Sequence, residues 1–334
     1  MPHYFEGLTA DDVWRSAAKM LLGISQESAQ SSRLGLVREA LQACFYIEKP
    51  RQRWVFSRQP AINPAFAIAE VVWILCGRND ADFLNYWNPI LPKYAGSSQI
   101  YHGAYGHRLR KNYGIDQLEQ AYQALRTNPE SRQVVLQLWD SSIDLPKDDG
   151  KPLAPDIPCN VCSMLSVRDG RLEWTQVMRS NDLFLGAPHN FIQFTSMQEI
   201  FAGWLGLELG SYTQISNSLH IYEHDLDKYG ISTNQISDNN TDDIALPKGE
   251  SDRALAKLEM AMDILRQPGL QREQFYRLLG DNDLSSGYQN MLAVVSADSA
   301  RRRGWESEML FAENKIANPA LSLAWTRWSD RMNS

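Results

Sequence analysis

Apolar positions along the chain recur with two different periods, and the changes between them mark the elements. Residues 10–22 (ADDVWRSAAKMLL) and 33–46 (RLGLVREALQACFY) read as amphipathic helix or helix-then-strand segments. Residues 67–76 (AIAEVVWILC) are apolar almost throughout, which predicts a buried helix stopped at Gly77 with one carboxylate, Glu70, inside it. From Ser131 the composition turns β-branched and aromatic, and 133–139 (QVVLQLW) predicts a strand. Residues 142–157 carry Pro and Asp and predict a surface loop. Residues 159–167 and 171–178 predict two strands joined by the turn pair Asp169-Gly170. Residues 191–205 predict an apolar helix, and 212–221 another strand. Beyond a polar stretch at 236–243, residues 251–267, 270–280 and 297–316 have helical spacing and composition.

This pattern predicts a core of mixed strands and helices over 1–235, followed by a helical extension over 236–334 packed on it. The chain has 334 residues and 43% hydrophobic content, enough for a large buried core. Its 33 basic and 40 acidic side chains leave a net charge of −7, which argues against a broad nucleic-acid or membrane surface. A single phosphate held by a few arginines remains compatible with that balance. Four cysteines in such a length make no disulfide framework. No apolar run approaches the roughly 20 residues of a membrane span, and the first residues lack a basic stretch leading into an apolar one. The expectation is a soluble, cytoplasmic protein.

Cys159, in Asp156-Ile-Pro-Cys-Asn160, follows a long loop at the start of a strand, where a thiol can stand at the mouth of a cleft. A buried cysteine acting as a small hydrophobe is the plainer alternative. Cys162 suggests a C-x-x-C pair, but residues three apart on a strand face oppositely, so a metal site is rejected. The run 179–190 (RSNDLFLGAPHN) brings Arg179, Ser180, Asp182, Gly186 and Asn190 together. Arginine with serine suits a phosphate, and a nearby guanidinium lowers a thiol pKa; a surface Arg–Asp pair is the alternative. His220 and Tyr222 alternate on one strand and so share a face. Glu70, within an apolar helix, needs a partner such as an arginine or a function.

These residues resemble the thymidylate synthase superfamily, which includes the pyrimidine nucleotide hydroxymethylases. The likeness is carried by PCN at 158–160, RSNDLFLGAPHN at 179–190 and SLHIY at 218–222, with SSRLG at 31–35, EVVWILCG at 70–77, GAYG at 103–106 and ESR at 130–132. Seven such matches in the family's order are highly specific. The resemblance implies an α+β fold, a large mixed sheet flanked by helices, here with a divergent helical C-terminal region. It also implies a homodimer with the two sheets packed face to face.

For the site, the resemblance implies that Cys159 is the thiolate adding to C6 of a pyrimidine nucleoside monophosphate, which makes C5 nucleophilic. Arg33, Arg179 and Ser180 match the phosphate binders, and Arg132 the arginine lent across the dimer interface. Asn190 matches the amide that reads the base, and His220 and Tyr222 the residues that hold the sugar hydroxyl. Glu70 matches the carboxylate that helps remove the C5 proton through water, and Tyr105 an aid to proton transfer. Asp182 matches the residue that orients a folate pterin, with Gly186 beside it. The implied one-carbon donor is 5,10-methylenetetrahydrofolate.

Departures from the family pattern bear on the product. Asn160 replaces the usual histidine, Arg132-Gln133 replaces a double arginine, and the tryptophan the family carries around Leu91-Pro92 is missing, with Trp87 no obvious substitute. The last residues, after a different helical region, do not match the family's closing tail. A site that admits water favours a 5-hydroxymethyl product, with dUMP the favoured substrate because of Asn190. The alternatives are reductive methylation of dUMP, hydroxymethylation of dCMP or CMP, a silent nucleotide- or RNA-binding homologue, and a Cys159–His220 hydrolase.

Overall fold

The computed structural model describes residues 2–32, 35–232, 239–280 and 282–333. The boundary expected at 235 lies outside them, and so does Arg33. The strands are β1 (His3–Gly7), β2 (Gln30–Ser32), β3 (Gly35–Ile47), β4 (Arg58–Gln59), β5 (Val135–Gln137), β6 (Asn160–Arg168), β7 (Arg171–Met178), β8 (Asn181–Asp182), β9 (Glu208–Tyr222) and β10 (Gly230–Ile231). The helices of the first part are α1 (Ala10–Leu22), α2 (Pro64–Leu75), α3 (Ala81–Trp87), α4 (Pro92–Ala95), α5 (Tyr105–His107), α6 (Gln117–Thr127), α7 (Ser141–Asp144) and α8 (Ala187–Leu205). Those after it are α9 (Lys248–Leu265), α10 (Arg272–Leu279), α11 (Ser286–Arg302), α12 (Glu306–Glu313) and α13 (Pro319–Asn333).

The main sheet runs β1-β3-β9-β7-β6-β5, with β2 on β3 and β8 on β9. It is mixed: β1 is parallel to β3, and β7 and β8 are parallel to β9, while the other pairings are antiparallel. The fold is therefore the α+β arrangement expected, a large mixed sheet flanked by helices. The expected hairpin is present, and both Asp169 (φ 49°) and Gly170 (φ 74°) take the left-handed conformation its turn requires.

The segment 33–46 departs from expectation, since residues 35–47 form the single strand β3. Val37, Ala40 and Ala43 are all buried at a spacing of three, which imitates a helix. The step from Ala40 to Ala43 spans Gln42 (φ 57°), whose left-handed conformation kinks the strand and changes which face the side chains meet.

Helices α1 and α8 pack on one face of the sheet, and α2 packs on α8. Thr9 and Asp12 close a reciprocal capping box at the start of α1. Asn63 caps α2 by accepting from the N–H groups of Ala65 and Phe66, with Pro64 in the first turn. Helix α11 lies on α2 and α9 on α8, so residues 248–333 share one apolar core with the sheet. Buried Glu199 of α8 joins the parts by accepting from Arg51 (2.9 Å) and Arg53 and from the Ile244 N–H.

On the opposite face, register aligns Gln137, Cys162, Val177, Ile215, Cys44 and Tyr4 in one row across the sheet. Ile215 and Tyr4 in that row are 38% and 59% exposed, and Met164 and Val135 beside it 40% and 52%. That is more apolar surface than a solvated sheet face ordinarily carries.

Candidate active site

Cys159 stands at the end of the 145–159 loop, immediately before β6, and is half-buried. Three contacts from Arg179, at the end of β7, hold the loop there. The Arg179 N–H donates to the Cys159 carbonyl (2.9 Å), Nε to the Pro158 carbonyl (2.9 Å) and Nη2 to the Ile157 carbonyl (3.1 Å). Its guanidinium also lies over the Trp139 ring, 5.5 Å from the centroid. Arg179 is itself exposed, so it can meet a ligand arriving from solvent while holding the thiol's loop.

On its other side the loop is tethered by Asp156, whose Oδ2 accepts from the Gly103 N–H (2.9 Å). Burial pushes the Asp156 carboxyl up against the pull of that bond and of His102 and Arg108. Beneath it, buried Arg108 makes two hydrogen bonds to Asp144 (2.6 and 2.9 Å), and His102 Nε2 lies 2.7 Å from the same carboxylate. Two residues beyond Gly103 is Tyr105. Burial raises its phenol far above the ordinary value, and the charges of Cys159, Asp156 and Glu70 add to that rise. Tyr105 therefore stays protonated at neutral pH, with its O–H available as a hydrogen-bond donor.

Glu70 lies on α2, with Oε2 2.7 Å from Nδ1 of His189. Both atoms are buried, and the contact lacks hydrogen-bond alignment. The partner of Glu70 is thus an imidazole from the 179–190 motif, not the arginine considered as its plainer explanation. His189 in turn packs edge-on to Phe66 (5.1 Å). Asn190, the next residue of α8, is buried and donates to Gln193 Oε1 (3.2 Å). Gly186 allows this close packing, since a Cβ there would lie 2.9 Å from Asn181 Oδ1 and 3.1 Å from the Asp182 carbonyl.

Asp182 turns Oδ1 back to the N–H groups of Phe184 and Leu185 (both 2.8 Å), and burial nonetheless raises its carboxyl. It pairs across the β8–β9 ladder with His220. Burial lowers the His220 pKa while Asp182 and Glu39 oppose the change, so this imidazole is neutral at pH 7. His220 and Tyr222 share a face with perpendicular rings 5.2 Å apart, as their alternation predicts. Ser180 is half-buried beside Arg179. Arg132 stands exposed just before β5 and, among the described residues, makes no ion pair within the chain.

The structure therefore places Arg179 and Tyr105 about the Cys159 loop, with Glu70 within electrostatic reach of Tyr105, and sets Asp182 of β8 beside His220 of β9, which adjoins Tyr222. Sequence reasoning assigned no role to three neighbours, Asp156, His189 and Tyr94, and noted Asn160 only as a departure from the family pattern. Asn160 donates nothing to the sheet with its side chain; its Oδ1 accepts from Gln176 Nε2 (2.8 Å), and Gln176 accepts from Ser163. Tyr94, three residues past the missing tryptophan, feels the charges of Asp225 and Asp182 and lies beside Tyr229. A buried carboxylate with no arginine nearby in sequence was the one available signal for His189. On the same side, Arg327 and Arg331 of α13 donate to the carbonyls of Phe56 (2.5 Å) and Ala61 (3.0 Å). They line a cleft of about 510 Å³ with Gln59, Lys228 and Tyr229.

A half-buried thiol whose loop is held by an arginine, with a protonated phenol within electrostatic reach, is an arrangement compatible with covalent nucleophilic chemistry. Residues 58–261 match the family model described as thymidylate synthase, more than half of the chain. The chain belongs to the thymidylate synthase family. It is 35% identical over 205 residues to the deoxyuridylate hydroxymethyltransferase of Bacillus phage SP01, covering 58% of this chain and 52% of that protein. With the protein of the same name from Pseudomonas phage M6 it shares 37% over 182 residues, 54% of this chain and 50% of that one. The thymidylate synthase of Clostridium beijerinckii is 35% identical over 124 residues, 37% of this chain and 43% of that protein. The chain thus spans about half the length of the curated relatives it matches.

Proposed function

We propose that this protein transfers a one-carbon unit to C5 of a pyrimidine nucleoside monophosphate, with dUMP favoured, and leaves a 5-hydroxymethyl group. The observation that carries the reading is a Cys159 loop held by Arg179, with the Tyr105 phenol within electrostatic reach of Cys159 and Glu70. In it, the Cys159 thiolate adds to C6, which converts C5 into a carbon nucleophile. Arg179, Ser180 and Arg33 hold the phosphate, with Arg132 contributed by a second copy through the apolar sheet face. Asn190 reads the base edge, and His220 with Tyr222 holds the sugar. Glu70, oriented by His189, removes the C5 proton through water, and protonated Tyr105 donates to it.

The one-carbon donor in this reading is 5,10-methylenetetrahydrofolate, which supplies carbon at the oxidation level of formaldehyde. The Asp182 carboxylate fits a pterin: it is half-buried, its Oδ1 is fixed by two backbone N–H groups, and Tyr94 feels its charge. The hydroxymethyl outcome is supported by the names of the two phage relatives and by Asn160 in place of a histidine. The reading places the enzyme in the cytoplasm, in keeping with the absence of any helix long and apolar enough to cross a membrane among the described residues.

Mass spectrometry of products from dUMP, dCMP, UMP and CMP, each with methylenetetrahydrofolate, tests it, with dihydrofolate followed by absorbance. The expected product is a hydroxymethylated dUMP without dihydrofolate. Stoichiometric dihydrofolate with a methylated product would overturn the hydroxymethyl reading.

A further inference from the structure

Hydroxymethylation needs a water at a fixed place, and the site contains a donor without a partner in full hydrogen-bond geometry. Asn160 is fully buried, and its two side-chain ends differ sharply. Its Oδ1 is satisfied by Gln176 Nε2 at 2.8 Å, which fixes the amide's orientation through Ser163 and Gln176. Among the described residues its Nδ2 has no partner in full hydrogen-bond geometry. A buried N–H left unmade costs about 1–3 kcal/mol, so native proteins seldom keep one without a ligand or a water.

The nitrogen lies beside the Tyr105 phenol, where hydrogen bonding from Asn160 opposes the rise that burial gives it, although the pair falls outside full hydrogen-bond geometry and leaves room for a water between them. Tyr105 also lies within electrostatic reach of Cys159 and Glu70. Glu70 Oε2 and His189 Nδ1, 2.7 Å apart, are likewise buried without hydrogen-bond alignment. Unsatisfied polar atoms therefore cluster where the thiol's target would sit, and a bound water with two to four polar partners resolves such a cluster.

We propose that Asn160 positions the attacking water, donating through Nδ2 while Glu70 accepts one of that water's protons and Tyr105 completes its hydrogen bonds. This assignment rests on the hydroxymethyl reading above. In the step, the water oxygen bonds to the exocyclic methylene carbon on C5, and the C=C pair moves into the ring toward the C4 oxygen. The surplus proton passes to Glu70. The ring pair then returns to form C5=C6 and expels the Cys159 thiolate, leaving a hydroxymethyl group, so one water is consumed with no net oxidation or reduction. Asn160 is a positioning residue here. The side chain that replaces the family's histidine is the one that selects water as the nucleophile.

The test is Asn160→Asp, which keeps the acceptor for Gln176 and, ionised, replaces the donor by a second acceptor, with the uncharged Asn160→Ser, too short to reach the water, as a second variant that separates loss of the donor from the added charge. With [5-³H]dUMP, methylenetetrahydrofolate and added 2-mercaptoethanol, tritium release counts the steps before water attack. The hydroxymethyl product and the thiol-trapped thioether then report how the exocyclic carbon is divided. Expected is tritium release within about threefold of wild type, with hydroxymethyl product per tritium falling about tenfold and thioether rising. Tritium release and product falling in parallel, or an unchanged partition, would overturn the assignment while leaving the function standing. No tritium release from the wild-type protein would overturn the function, and this assignment with it.

Discussion

Gly106→Ala probes how Tyr105 and Glu70 are held together. Helix α5 crosses the end of α2 so closely that a Cβ on Gly106 would lie 2.1 Å from the Ile74 carbonyl oxygen, 2.6 Å from its Cα and 2.7 Å from its carbonyl carbon. Ordinary carbon–oxygen contacts are about 3.3 Å or longer, so α5 and α2 must separate by about 1 Å. The clash is with backbone, which cannot rotate away. Overpacking of this kind costs about 1–3 kcal/mol. Glu70 lies one turn back on α2 from Ile74, and Tyr105 adjoins Gly106, so the separation opens the gap between the two groups proposed to act on the substrate. A misplacement of about 1 Å typically costs about 100-fold in rate. The expected result is a folded protein with a lowered melting temperature and turnover reduced by about two orders of magnitude. The assays are thermal denaturation and product formation from dUMP. Turnover within threefold of wild type in a normally folded variant would refute the claim that this helix crossing sets the site.

Further predictions bear on other parts of the account. Burial raises the Asp156 carboxyl in the folded state above its unfolded value near 3.9. Its contribution to stability is therefore full below that value and lost as pH rises through the folded one. Asp156→Asn should lessen the fall in stability from pH 4 to neutrality, read by urea unfolding at each pH, and an unchanged pH dependence would contradict this. Asn190→Asp should shift preference from dUMP toward dCMP, because a carboxylate accepts from the 4-amino group of cytosine; an unchanged ratio of kcat/KM values would mean the base is read elsewhere. Ile215→Lys places a charge in the centre of the exposed apolar row. Desolvating it costs several kcal/mol, so if this face forms the proposed dimer, sedimentation velocity should show a dimer for the wild-type protein and a monomer for the variant, with turnover lost; an unchanged sedimentation profile would contradict the proposed interface.

Much of the architecture was readable from periodicity because the local signals were unambiguous. The β6–β7 hairpin follows from Asp169-Gly170, and α2 and α8 from long apolar runs. Strand β3 misled because its buried residues fall at a spacing of three, and Gln42 in a left-handed conformation changes which face the side chains meet. The site divides in a similar way. Residues inside contiguous motifs, such as Cys159, Arg179 and Asn190, were identifiable one by one. Contacts made only by folding were not: Glu70 meeting His189, Asp156 tethering Gly103, and Asn160 with its donor outside full hydrogen-bond geometry beside Tyr105. Each joins segments at least 50 residues apart in sequence, so no local pattern encodes it. The Asp156 and Asn160 contacts nonetheless flank Cys159 directly, and a buried polar residue next to a candidate nucleophile is the signal that would have raised them.

The central claim is that Cys159 attacks the pyrimidine ring. The direct measurement is intact-protein mass spectrometry after incubation with 5-fluoro-dUMP and methylenetetrahydrofolate, followed by peptide mapping. The account predicts one stable adduct per chain in the wild-type protein, mapped to Cys159, and none in Cys159→Ala. An adduct on Cys44, Cys76 or Cys162, an adduct that persists in Cys159→Ala, or no adduct in the wild-type protein would contradict it.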